Sequence, residues 1–337
     1  MPELAGKHVV VTGGCGFIGR HVVACAQDLG ATVSILDDGS SGYSAPEGAA
    51  LIKGDVRNSR DAAKAIYEGT DYVIHMAVKC VRLSESDPHG VFTVAANGTL
   101  TVGLRAAEVG ARVVYVSSSE IYGGLARRLD RTEPPMTESY ATRPNSVYGA
   151  AKLAGEAIIR ALSQQKALAA CTIRPFNSYG PWSHIEGPQG ELIPRWIAAA
   201  LARRPFVVHG SAELLDYMSR DFTYVADTAR GIVAALTCKM FPSGLVVNLC
   251  SGTELTLRDI GLIIAELCGL DVPCYRFTSP RPGETHKLKG VNTLAKEILE
   301  WTPQVSFRDG LLKTIEWVKS CEVPAHTIVD ETWTEHA

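Results

Sequence analysis

Short apolar runs rich in β-branched residues recur along the first half of the chain. Each is followed by a stretch whose apolar residues repeat at helical spacing. The first run, His8 to Thr12, reads as a buried parallel strand. After three glycines the pattern turns helical from Phe17, with Phe17, Ile18, Val22, Val23 and Ala26 near one face. Further strands are predicted at Thr32 to Leu36, Ala50 to Lys53, Asp71 to Ala77, Arg112 to Ser119 and Cys171 to Arg174. Helices are predicted around Ala62, Ala63 and Ile66, over Val91 to Val109, and over Ser146 to Leu162. Strand and helix alternate in units of roughly 20 to 30 residues, which predicts an α/β fold with a doubly wound parallel sheet.

Beyond Gly180 and Pro181 the texture changes. An irregular loop, Trp182 to Gly190, precedes a helix at Leu192 to Leu201 and an extended Phe206 to His209. Asp221 to Leu236 reads as strand and helix returning to the main domain, followed by a strand at Leu245 to Leu249 and a helix at Leu257 to Cys268. The last two helices are expected near Thr293 to Glu300 and Gly310 to Lys319. The expected division is a dinucleotide-binding domain over 1–180 with returns near 221–268. A smaller C-terminal α/β substrate domain takes 181–220 and 269–325, and a polar tail takes 326–337.

Composition narrows the class. The 337 residues are 46% hydrophobic and 20% charged, with a net charge of −3, an ordinary globular balance. That charge gives no reason to expect nucleic acid or an anionic membrane surface as partner. No uncharged apolar run reaches the roughly 18 residues that span a bilayer. The chain enters its first strand without room for a signal peptide, and a cytoplasmic location is expected. The nine cysteines are scattered, without a C-x-x-C pair, so neither a disulfide framework nor a metal site is indicated.

Chemistry begins at the first turn. Gly13, Gly16 and Gly19 stand between strand and helix, where glycine permits the turn, the approach of a diphosphate and close helix–strand packing. The free N–H groups of the helix's first turn then face the anion. Asp37 ends the second strand, 18 residues past Gly19. A carboxylate there accepts hydrogen bonds from a ribose 2′-OH and repels a 2′-phosphate, so NAD is expected over NADP. Asp55 either contacts the adenine ring or caps the helix that follows it. Tyr148 and Lys152 are four apart at the start of a helix and emerge on one face. With Ser117, Ser118 and Ser119 at a strand's carboxyl end, they suggest a tyrosinate base whose pKa the ammonium lowers. Bringing a phenol from about 10 to near neutral takes roughly 4 kcal/mol.

These motifs resemble the extended short-chain dehydrogenase/reductases, in the NAD-dependent nucleotide-sugar epimerase/dehydratase family. The matching text is TGGCGFIG from Thr12, LDDGSSG from Leu36, GDV from Gly54, HMA from His75, SSSEIYG from Ser117 and PNSVYGAAK from Pro144. It continues with RPFNSYGP from Arg174, RDFTYVAD from Arg220 and RPGE from Arg281. The resemblance implies a Rossmann domain holding NAD through Gly13, Gly16, Phe17, Ile18, Gly19, Asp37, Asp55, Val56, Ala77, Tyr148 and Lys152. It implies Ser118, Tyr148 and Lys152 as catalytic residues. Asn177, Arg220 and Arg281, with Ser118, would bind a nucleotide-diphosphate sugar, the arginines suiting its diphosphate by charge and fork geometry.

Glu120 divides the family. A glutamate there often marks 4,6-dehydratases and uronate decarboxylases, whereas the segment from His75 to Pro88 and the Gly180 to Pro194 loop look like epimerase relatives. The expected activity is epimerisation at C4 through a 4-keto intermediate. The alternatives are 4,6-dehydration or uronate decarboxylation using Glu120, and a non-catalytic NAD-binding regulator. Ala212 to Ser219 and Trp182 to Gly190 depart from the family's pattern where the sugar is expected. The small and apolar faces of the helices at Val91 to Val109 and Ser146 to Leu162 point to a homodimer.

Overall fold

The computed structural model describes residues 4–123, 134–187, 190–241, 243–281, 283 and 285–321. Pro282 and Glu284 of the RPGE stretch and the tail at 326–337 lie outside the described residues. Six strands come in the first half: β1 (His8–Thr12), β2 (Thr32–Asp37), β3 (Ala50–Lys53), β4 (Tyr72–His75), β5 (Arg112–Val116) and β6 (Ala170–Pro175). Seven follow: β7 (Asn177–Tyr179), β8 (Phe206–His209), β9 (Ser219–Tyr224), β10 (Val246–Leu249), β11 (Glu254–Thr256), β12 (Tyr275–Thr278) and β13 (Lys287–Leu288). The helices through the catalytic stretch are α1 (Phe17–Asp28), α2 (Ser59–Ala65), α3 (Leu83–Ser86), α4 (Pro88–Phe92), α5 (Gly98–Val109) and α6 (Val147–Lys166). After them come α7 (Leu192–Leu201), α8 (Leu214–Tyr217), α9 (Val225–Thr237), α10 (Leu257–Leu267), α11 (Thr293–Leu299) and α12 (Phe307–Ser320).

The large sheet runs β10-β6-β5-β4-β1-β2-β3 and is parallel throughout. Strand periodicity divides its side chains between two helical layers. Val9, Val11, Val33, Ile35 and Ile74 pack with residues of α1 and α9. Val10, Leu36, Val73, Val113 and Tyr115 face residues of α5 and α6 on the other side. The sheet reverses direction of growth between β1 and β4, the crevice where open parallel sheets bind ligands.

A second core gathers Trp196, Ile197, Phe206, Phe222, Ile260, Leu311 and Ile315 from α7, β8, β9, α10 and α12. Its strands form two small sheets, β8 with β12, and β9 with β7, β11 and β13. Thus β9 stands outside the large sheet, while α9, directly after it, packs on α1.

Several elements differ from the sequence pattern. The expected helix at Val91 to Val109 is interrupted by a π turn at Thr93–Asn97. Where α5 begins, Gly98 packs so closely that a Cβ would lie 2.7 Å from the Val56 side chain, and Thr99 Oγ1 donates to the Ala95 carbonyl at 2.5 Å. Strand β4 stops at His75 because the amides of Met76 and Ala77 both turn to Thr12 Oγ1, at 3.1 and 3.2 Å. Strand β5 stops at Val116, which leaves the serines in a loop. The Ala212 to Ser219 stretch contains α8, whose Leu215 and Tyr217 are buried.

Candidate active site

Thr12, at the end of β1, organises the first corner of the site. Its oxygen accepts the two amides from the end of β4, so its own proton goes to His75 Nδ1, 2.7 Å away. That leaves Nε2–H of His75 to donate to Thr99 Oγ1 at 3.1 Å. Burial, reinforced by the Lys152 charge, holds His75 down at about 3, so the ring is neutral. The chain of bonds locks the β4 end against the glycine turn: Gly13, at φ 73°, has room for no Cβ, which would meet Ala77 Cα at 2.9 Å.

The turn fits a dinucleotide diphosphate. A Cβ on Gly19 would lie 2.1 Å from the Gly13 carbonyl, so α1 sits hard against the strand. On Gly16 it would touch only the Gly13 carbonyl, at the ordinary distance of 3.4 Å, so no packing inside the protein demands glycine beside the space that an anion would occupy. Helix α1 has no side-chain cap and no acid in its first turn, so its orphan amides face that space. Asp37 is buried, and its oxygens accept from Cys15 N at 3.0 Å and Gly39 N at 2.8 Å. Each oxygen retains a lone pair for a ribose hydroxyl. Asp55 does not cap α2, because Asn58 does, accepting from Arg60 N. Asp55 pairs instead with Arg57, Nη2 to Oδ2 at 2.6 Å. Val56 is buried beneath it.

Below β5, Ser118 accepts the amide of Glu120 at 3.2 Å and caps a short 3-10 turn. Its hydroxyl lies beside the Tyr148 phenol and favours the ionised form. Helix α6 begins at the Ser146 cap and sits close to this loop: a Cβ on Gly149 would lie 2.7 Å from the Glu120 carbonyl. Tyr115 of β5 donates to the Lys152 carbonyl at 3.1 Å and fixes the helix's height on the sheet.

The expected lowering of Tyr148 by the ammonium is not what the protein's own groups produce. Burial pushes the phenol well above its ordinary value, opposed by the nearby Ser118 hydroxyl, and the Glu120 and Cys80 charges add to the rise. The reason is where Lys152 points: its Nζ donates to the Val116 carbonyl at 2.8 Å. Burial lowers Lys152 to about 7, opposed by the Glu156 charge.

Between the two cores lies a cavity of about 650 Å3, lined among others by Phe17, Ile18, Ser118, Glu120, Tyr148, Lys152, Asn177, Arg220 and Arg281. The structure therefore brings the proposed catalytic and substrate residues to one cleft. Asn177 Oδ1 and Ser117 Oγ are buried without a hydrogen-bond partner among the described residues. Arg220 Nη1 donates to the carbonyls of Ser219 and His286, at 3.0 and 2.9 Å, while Arg281 Nη2 meets His209 Nε2. Arg82 and Arg195 line the same cavity. Burial, then Arg281, Arg82 and Arg195, hold His209 down at about 3. Sequence reading did not single out these two arginines, although Arg82 lies within the His75 to Pro88 segment it considered.

The Trp182 loop divides between two sites. Trp182, at φ 69°, stacks on the Arg20 guanidinium at 3.7 Å and meets Tyr43 edge-on, toward α1 and away from the expected sugar. Ile185 and Glu191 do line the cavity. From Ala212 to Ser219, only Met218 does so. No group of His, Cys, Asp or Glu among the described residues is placed to hold a metal ion. None of their helices is long and apolar enough to cross a membrane.

A parallel sheet with a glycine turn at its switch point, facing a Tyr-x-x-x-Lys helix, defines a doubly wound dinucleotide-binding protein. The profile of the NAD dependent epimerase/dehydratase family matches residues 9–250, and the chain belongs to that family, with NAD as its cofactor. It is 30% identical to UDP-glucose 4-epimerase of Mycolicibacterium smegmatis over 324 residues, 92% of this chain and 98% of the relative. Its fold superposes on MoeE5 in complex with UDP-glucuronic acid and NAD with a TM-score of 0.82 at 28% identity, covering 93% of this chain and 99% of that one. DesIV of Streptomyces venezuelae, a dTDP-glucose 4,6-dehydratase solved with NAD, matches with a TM-score of 0.83 at 27% identity, over 93% of this chain and 97% of that one.

Proposed function

We propose that the chain epimerises a nucleotide-diphosphate sugar at C4. The observation that carries this reading is the joining of Ser118, Tyr148 and Lys152 at one wall of a cleft whose lining also holds Arg220 and Arg281. Bound NAD, held by the Gly13–Gly19 turn and Asp37, supplies reversible oxidation of the sugar carbon. Tyr148 takes the O4 proton and later returns it. Ser118, on the same cavity wall as the phenol, holds O4 in line with it. Lys152, one turn further along α6 with its Nζ on the Val116 carbonyl, would hold the nicotinamide ribose, and the phenolate is favoured by the cofactor's positive charge once NAD is bound. Arg220 and Arg281 grip the diphosphate, and the unpartnered Asn177 Oδ1 accepts from a substrate hydroxyl.

Glu120 supports a second reading, a 4,6-dehydratase or uronate decarboxylase, because its carboxylate lines the cavity and acts on Tyr148. Two observations favour the epimerase. Glu120 Oε2 accepts the Thr285 hydroxyl at 3.2 Å, an anchor that suits a supporting group. Its neighbour Ser119 is buried and is no acid for a departing C6 hydroxyl.

Purified protein incubated with UDP- and dTDP-sugars decides between them. An epimer of unchanged mass is expected; loss of water marks the dehydratase and loss of carbon dioxide the decarboxylase. Tyr148→Phe keeps NAD bound and loses sugar oxidation, while near-normal turnover in that variant would overturn the role given to Tyr148.

A further inference from the structure

Thr285 lies after Arg281 on the segment that leads into β13, and it is 2% exposed. Its hydroxyl is within hydrogen-bond distance of four groups: Glu120 Oε2 at 3.2 Å, the Gly123 carbonyl at 3.3 Å, and Asn145 Oδ1 and Nδ2 at 3.3 and 3.2 Å. A hydroxyl has one proton to give. The Asn145 amide resolves the choice, because its Nδ2 already donates to the Gly123 carbonyl at 2.9 Å and has a second hydrogen for Thr285. The Thr285 proton is thereby left for the carboxylate, the acceptor that bonds most strongly.

We propose that Thr285 is a positioning residue, which sets the Ser118–Gly123 loop and through it the hydroxyl that faces Tyr148. The link runs from Thr285 to the Glu120 carboxylate, and from the Glu120 amide to Ser118 Oγ at 3.2 Å. The same segment reaches the other end of the cleft. Arg281 lies four residues before Thr285, and the His286 carbonyl holds Arg220. Between them, Gly283 passes so close to Asn145 that a Cβ would lie 2.6 Å from its carbonyl oxygen.

The kinetic part of this inference rests on the proposed roles of Ser118 and Tyr148, and the test separates the two. In the NAD-loaded protein, Thr285→Val speeds amide hydrogen exchange over 117–123, and Thr285→Ser restores the wild-type rate. With whichever sugar nucleotide the wild type converts, Thr285→Val lowers kcat about tenfold, the worth of one hydrogen bond, and leaves KM unchanged. Combined with Glu120→Gln it costs no more than the worse single change, because both act through one link. Unchanged exchange in Thr285→Val overturns the proposal, as does a Thr285→Ser variant as impaired as the valine. If the wild type converts no sugar nucleotide, the proposed function fails, and the exchange measurement still decides the role of Thr285.

Discussion

Burial and the Glu120 charge hold the Tyr148 proton in place, so ionisation depends on how the neighbouring charges are placed. Glu120 is the informative neighbour. In an epimerase it supports the Ser118 loop, so Glu120→Gln lowers kcat by no more than about tenfold, and product formed in deuterium oxide carries no deuterium at C5. In a dehydratase the same change removes the base for the C5 proton and costs roughly 10²- to 10⁴-fold. Kinetics with NMR of the product distinguishes the two, and the first result is expected. Asp37 makes a separate prediction. Its carboxylate is held beside the turn by Cys15 N and Gly39 N, where a 2′-phosphate would meet fixed negative charge. Cofactor-stripped protein should bind NADP+ at least about tenfold more weakly than NAD+ by calorimetry. Equal affinities would remove that role from Asp37.

At the scale of elements, α6 carries a buried cation whose cost depends on pH. Lys152 titrates at about 7 in the folded protein, against its ordinary 10.5. Between those values the unfolded chain binds the extra proton, so this group makes stability rise with pH across the window. Below about 7 the burial cost of the ammonium is fully present. Lys152→Met should flatten that rise, read as the difference from wild type in urea unfolding of NAD-free protein between about pH 7 and 9. Parallel curves for the two proteins would show that the lysine is not desolvated as described. The strands and helices of the large sheet were legible because burial from both faces writes continuous apolar runs, as in Val9 to Val11 and Val113 to Val116. Strands β7, β11 and β13, of two or three residues each, carry too few positions for a period. The Tyr148/Lys152 pair was legible because four-residue spacing is local. Arg82, Arg195 and Thr285 come to the cleft from distant segments, and no local spacing encodes that meeting. The direction of the Lys152 ammonium, toward the Val116 carbonyl, was illegible for the same reason.

At the scale of the molecule, the expected assembly is a homodimer built on α5 and α6. Both helices pack on the sheet, yet burial there does not use all their apolar surface. Leu100 and Leu104 are 43% and 36% exposed, one turn apart on α5, and Phe92 at the end of α4 is 42% exposed. On α6, the exposed Ala150 and Ala157 stand two turns apart, with half-buried Ala154 between them, so a partner helix can approach closely. A twofold pairing of these faces would cover both sets at once, and each side chain would count twice. Burying one leucine is worth about 1.5–3 kcal/mol, so the double variant Leu100→Glu/Leu104→Glu places four carboxylates in the interface and should leave monomers. Light scattering at micromolar concentration should give twice the chain mass for the wild type and the single mass for the variant. The variant should keep its far-ultraviolet circular dichroism, because both leucines point away from the sheet. A wild type that stays monomeric at that concentration would assign these side chains to the surface, and α6 would then hold Tyr148 and Lys152 without support from a second chain.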